Sequence, residues 1–104
     1  MARAIQVYTT DYCGYCKRAM ALLAKKGVAF DEVDATTLRE WLVDATGRRT
    51  VPQIFVDGVP IGGHDDLVAL ERSGQLDRIL AGELAPPSIR PDGAPAPPPP
   101  SAPR

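Results

Sequence analysis

The apolar positions change period several times along the chain, and each change marks an element. Residues 4–9, AIQVYT, are apolar and β-branched enough for a short buried strand. The pattern breaks at 10–14 and turns helical over 15–26. There Ala19, Met20, Leu22 and Leu23 share one face, while Lys17, Arg18, Lys25 and Lys26 stay on the wet side. Gly27 is placed to end that helix, because glycine enters the left-handed conformation of a helix C-terminus without a Cβ penalty. Residues 28–33, VAFDEV, predict a second strand. Asp34 to Thr36 offer capping oxygens to a short helix over 37–45, with Leu38, Trp41 and Leu42 on one face and Thr46 and Gly47 at its end. On that face Trp41 reads as half-buried packing.

A third strand is expected over 51–56, interrupted by Pro52. Asp57 and Gly58 signal a hairpin whose returning strand is 59–61. Gly62 and Gly63 turn the chain, and Asp65 or Asp66 caps a helix reaching about residue 71. Ser73 and Gly74 interrupt it before a last amphipathic stretch over 75–84. The order β-α-β-α-β-β-α joins the first two strands through a helix, so they should be parallel, and makes the last two an antiparallel hairpin. The expected fold is a small α/β sandwich without internal repeats.

Composition changes the picture at the C-terminus. Of the 11 prolines, all but Pro52 and Pro60 fall within 86–104, PPSIRPDGAPAPPPPSAPR. With Ile89 as its one strong hydrophobe, this stretch cannot bury enough surface to offset the entropy of ordering. We expect a folded domain over 1–84 and a disordered proline-rich tail over 85–104, with polyproline II character at 97–100. The net charge is −1 and the two signs are interspersed, so no nucleic-acid footprint is expected. No apolar run approaches the ~20 residues of a membrane span. The start, MARAIQVY, lacks the apolar core of a signal peptide, and the expected location is cytoplasmic.

The chain has 2 cysteines, Cys13 and Cys16. A disulfide between them closes so small a loop that it staples almost nothing, which points to chemistry or metal binding. A C-x-x-C at a strand-to-helix junction has a specific use. A thiol at a helix start meets unpaired N–H groups and the positive end of the dipole, and both favour its nucleophilic thiolate. Lys17 and Arg18 add positive charge. Cys16, one turn on, can attack a mixed disulfide formed on Cys13. Zinc wants four ligands, and His64 is the sole histidine, so no resident metal site is expected.

Two further signals accompany it. In Thr50, Val51 and Pro52 the proline removes a ladder donor. Either it sits trans on a plain edge strand, or a cis Val51–Pro52 bond offers the Val51 edge to an extended, peptide-like substrate. At Gly62 to Asp66 a glycine pair leads into a helix start. This is either an ordinary capped turn or a corner where N–H groups take a carboxylate and an Asp takes an ammonium. Asp66 suits the cap and Asp65 the ligand. The side chain of His64 reads as a solvated turn residue.

These segments, YTTDYCGYCKRA, GRRTVPQIFVDG and IGGHDDLVAL, resemble the active-site, cis-proline and glutathione-binding segments of glutaredoxins, most closely the short bacterial dithiol kind. The resemblance spans roughly residues 4–82. It implies a thioredoxin fold, a four-stranded mixed sheet flanked by helices, and reduction of protein disulfides and glutathione mixed disulfides with glutathione as co-substrate. In it Cys13 takes the nucleophile's place and Cys16 the resolving place. Tyr15, Thr50, Val51 and Pro52 match the groove for the middle of glutathione. Gly63, His64 and Asp65 match its γ-glutamyl end, largely through backbone N–H groups, and Arg48 aligns with a basic residue that meets its glycine carboxylate. The chain departs from the pattern at Gly14, where many members carry proline, and at Thr10, where many carry lysine. The resemblance implies a monomer whose partners are glutathione and disulfide-bearing or glutathionylated proteins. Two alternatives stand beside it. In one, two subunits hold a [2Fe–2S] cluster through Cys13 and two glutathiones. In the other, the reductant is fed by thioredoxin reductase or mycothiol, which would leave the glutathione-end motif without a use.

Overall fold

A computed structural model describes residues 4–10 and 14–89 of the chain. Strands β1 (Ile5–Thr9), β2 (Asp31–Asp34), β3 (Gln53–Val56) and β4 (Val59–Gly62) form a 4-stranded sheet in the order β2-β1-β3-β4. Helix α1 (Gly14–Lys25) carries the chain from β1 to β2, which pair in parallel as expected. β3 is antiparallel to β1 on one side and to β4 on the other, so the sheet is mixed. Helix α2 (Arg39–Thr46) precedes β3, and α3 (His64–Arg72) and α4 (Gln75–Leu80) follow β4.

Strand alternation divides the core between the two faces of the sheet. Ile5, Val7, Ile54 and Val56 point to the face covered by α1, α3 and α4, where they bury with Leu23, Leu67, Leu76 and Ile79. Tyr8 and Phe55 point to the other face and bury with Leu42 and Ala45 of α2. Trp41 is half-buried there, its ring centroid 5.8 Å from Tyr8 and 5.9 Å from Phe55. Across the first face, Lys26 ties the end of α1 to the later helices, with Nζ 2.6 Å from Glu71 and 3.0 Å from Asp77.

The structure trims several expected elements, each for a local reason. β2 starts at Asp31, where pairing with Gln6 begins. Val28 and Phe30 still pack against the core, but their apolar character reports burial rather than ladder membership. α2 starts at Arg39 without a side-chain cap. The Asp34 carboxylate instead accepts the Thr36 N–H at 3.0 Å and the Thr36 hydroxyl at 2.7 Å in a turn of its own. β3 starts at Gln53, just after Pro52. The hairpin is as predicted: Asp57 at φ 51° and Gly58 at φ 80° make a two-residue turn between the paired Val56 and Val59.

The described residues continue past residue 84 to residue 89. Leu84 packs against the core, and the Ile89 N–H donates to the Pro60 carbonyl at 2.9 Å. Within the expected tail, Ile89 thus touches β4 at Pro60. Residues 90–104, with the expected polyproline stretch, lie outside the described residues. Among the described residues, no helix is long and apolar enough to cross a membrane.

Candidate active site

Topology gathers the site at one end of the sheet. β1 runs toward that end and leads through Thr10 to the start of α1. β3 is antiparallel to β1, so its preceding loop, Thr50 to Pro52, lies at the same end. β4 reverses again and delivers Gly62 and Gly63 there. A groove of about 270 Å³ results, lined by Tyr15 from α1, by Arg48, Thr50, Val51 and Pro52 from the loop, and by Gly63, His64, Asp65 and Asp66 from the turn. Every residue expected to touch glutathione thus borders this one space. The Val51–Pro52 peptide is cis rather than trans.

The glycine pair is required by close approach. Gly62 has φ 114°, and a side chain there would run into the Asp66 carboxylate. A Cβ on Gly63 would come within 3.0 Å of the Pro52 carbonyl. The turn therefore presses directly on the proline loop. Asp66 takes the capping role expected of it: its Oδ2 accepts the Gly63 N–H at 2.9 Å. The same oxygen meets the Arg48 guanidinium at 2.5 Å. Desolvation works to raise the Asp66 pKa. The hydrogen bonds from Arg48 and Gly63, together with the charge of Arg48, outweigh it and hold the carboxyl below the ordinary aspartate value. Arg48 thus arrives at the groove already paired, a partner the sequence reading did not assign to it. Its planar fork still has further N–H donors.

The neighbouring Asp65 is different. Its side chain is 99% exposed, with Oδ1 3.4 Å from His64 Nδ1, so its charge is available to a ligand. His64 departs from the expected solvated turn residue. Its side chain is only 19% exposed, and its ring lies against Tyr15, centroids 5.3 Å apart. Arg18 covers the Tyr15 ring from α1, its Cζ 5.3 Å from the centroid. An exposed tyrosine is thereby held between a histidine and an arginine at the rim of the groove.

No sequence motif marks Gln53. It follows the cis proline, is fully buried, and its amide Nε2 donates to the Thr50 carbonyl at 2.9 Å. It fixes the loop from below. A buried glutamine beside Pro52 is the signal that could have found it, since a polar side chain inside a β-rich apolar run needs a partner. Cys16 is 2% exposed and lies in the first turn of α1. Cys13 lies outside the described residues; it immediately precedes Gly14, the first residue of α1. A second, larger cleft of about 470 Å³ on the α2 side shares Arg48 and Val51 with the groove and adds Arg39 and Arg49.

A three-layer α/β fold with a C-x-x-C entering its first helix and a cis-proline loop at the same end of the sheet defines a thioredoxin-fold thiol–disulfide oxidoreductase. The family model described as Glutaredoxin matches residues 5–61. Glutaredoxin 3 of Escherichia coli is 49% identical over 79 residues, 73% of this chain and 95% of that protein. Among solved structures, the solution structure of the Brucella melitensis glutaredoxin is 47% identical, covers 80% of this chain and 95% of that one, and superposes with a TM-score of 0.70. A buckwheat glutaredoxin–glutathione complex is 31% identical, with 80% and 83% coverage and a TM-score of 0.72. The chain belongs to the glutaredoxin family and is a glutathione-dependent disulfide oxidoreductase.

Proposed function

We propose that this chain reduces glutathione mixed disulfides through Cys13 alone and protein disulfides through Cys13 and Cys16 together. The observation that carries the reading is that the expected glutathione residues all line one groove beside the start of α1. In the first reaction the Cys13 thiolate attacks the glutathione sulfur of the mixed disulfide, and the protein substrate leaves as a thiolate. A second glutathione thiolate then attacks the glutathione sulfur held on Cys13. Glutathione disulfide leaves and the Cys13 thiolate returns. In the second reaction Cys13 forms a mixed disulfide with the substrate and Cys16 resolves it. The Cys13–Cys16 disulfide is then reduced by two glutathiones. Burial shields Cys16 from thiols in solution.

The bound glutathione lies extended along Val51, whose backbone adds to it as a neighbouring strand would. Asp65 takes its α-ammonium, the His64 N–H at the start of α3 its γ-glutamyl carboxylate, and Arg48, aided by Arg49, its glycine carboxylate. Tyr15 walls the groove. The partners are glutathione and glutathionylated or disulfide-bearing proteins, the working form is a monomer, and the location is cytoplasmic.

The test is turnover of a glutathione mixed disulfide in the presence of glutathione and glutathione reductase. Cys13→Ser should abolish it, and Cys16→Ser should retain it while losing activity on protein disulfides. Full activity of Cys13→Ser on the glutathione adduct would sink the assignment.

A second reading, a [2Fe–2S] cluster shared by two subunits through Cys13 and two glutathiones, draws on Gly14. This residue is exposed at the first position of α1 and has open space around its absent side chain. Anaerobic reconstitution with iron, sulfide and glutathione tests it by visible absorption and gel filtration. A colourless monomer removes it.

A further inference from the structure

β4 is the outer strand of the sheet on its side, so one flank of it has no strand partner among the described residues. Such a flank is a template for another chain unless something covers it. Pro60 blunts it by lacking an N–H, which leaves its carbonyl as an outward acceptor. That carbonyl takes the Ile89 N–H at 2.9 Å. Beside this contact is a cleft of about 210 Å³, with Ile61, Ala69 and Leu70 on the side of the fold and Pro87 and Ile89 on the side of the returning segment. Pro86 and Pro87 in the covering segment have no N–H to offer a further strand. Ile89 is the one strong hydrophobe of the stretch after residue 85, and it is the residue that makes the hydrogen bond.

We propose that the β4 flank and the cleft against α3 form a strand-addition site for an extended, proline-bearing segment, and that its occupant is this chain's own residues 86–89, docked in cis. The folded unit then ends at the strap, five residues beyond the boundary expected from composition, and the remainder of the tail starts from a tethered point. A short contact through the Ile89 N–H and its apolar side chain is enough to dock the segment because it is already attached at residue 84. Its local concentration at the site is therefore of the millimolar order found for short linkers.

Amide exchange on the full-length chain, followed by NMR, reads the strap directly. The Ile89 amide should exchange at least about tenfold more slowly than those of Ser101 and Ala102, and to the same degree in dilute and concentrated protein. Full-length Ile89→Pro, which removes the donor, should melt roughly 4 °C lower, while a chain ended after Arg90 should melt with the full-length protein. Exchange of Ile89 as fast as the tail, or unchanged melting of Ile89→Pro, would overturn the proposal. Protection that rises with protein concentration would overturn the cis docking in favour of a second copy's tail.

Discussion

Arg48 and Asp66 close one wall of the groove between them: Arg48 Nη1 lies 2.5 Å from Asp66 Oδ2, an oxygen that also holds the Gly63 N–H. The loop before β3 and the start of α3 are thereby joined through a single carboxylate oxygen. The expected carboxylate-binding arginine and the expected capping aspartate are parts of one device.

Asp66→Ala should therefore cost more than an ordinary surface change. It removes the acceptor for Gly63, worth about 1 kcal/mol as a cap; the ion pair, at a half-exposed site, adds little. The pH profile carries a second signature. The Asp66 pKa is lower in the folded chain, so its contribution is complete above the unfolded carboxylate value of about 4 and is lost as pH falls through the folded value. Urea titrations at neutral pH and at about pH 3 should show the variant losing less stability on acidification than the wild type. Equal losses would refute the assignment.

Asp65 faces solvent and should act on the ligand instead. Asp65→Ala should raise KM for glutathione adducts about five- to tenfold, as loss of one exposed charge-assisted contact does, and leave the melting temperature unchanged. A small disulfide lacking the γ-glutamyl group should be reduced as before. An equal loss on both substrates would make Asp65 structural.

Gln53 should influence substrate handling without touching substrate. In Gln53→Leu the Thr50 carbonyl loses its donor and the loop bearing Val51 loosens. KM for the glutathione adduct should rise severalfold, by the worth of about one hydrogen bond, with the chemical reactivity of Cys13 toward iodoacetamide unchanged. A change in alkylation rate as large as that in KM would place the effect at the thiol.

Tyr8 gives a prediction at the alkaline end. Burial pushes its hydroxyl pKa up to about 12, and that hydroxyl has no hydrogen-bond partner among the described residues. Its pKa is higher folded than unfolded, so stability is intact below about pH 10 and falls as pH rises through 12. Tyr8→Phe keeps the ring packed on Phe55, at 5.0 Å between centroids, and should match or exceed wild-type stability at neutral pH. Between pH 10 and 12 it should lose less than the wild type in thermal melts; parallel curves would argue against a buried, unpaired hydroxyl.

The sequence by itself determined the order of the elements, the parallel first pair, the Asp57 and Gly58 hairpin and the capping role of Asp66. These are properties of short windows: periodicity, turn chemistry, and motifs whose residue types are fixed by what they must do. Tertiary structure alone decided that β3 would sit between β1 and β4, that β2 would begin at Asp31, and that Arg48 would reach an aspartate 18 residues away. It also brought His64 onto Tyr15, set Gln53 beneath the Thr50 carbonyl, and laid Ile89 on Pro60. Each of these joins groups whose distance depends on how separate elements stack against the sheet.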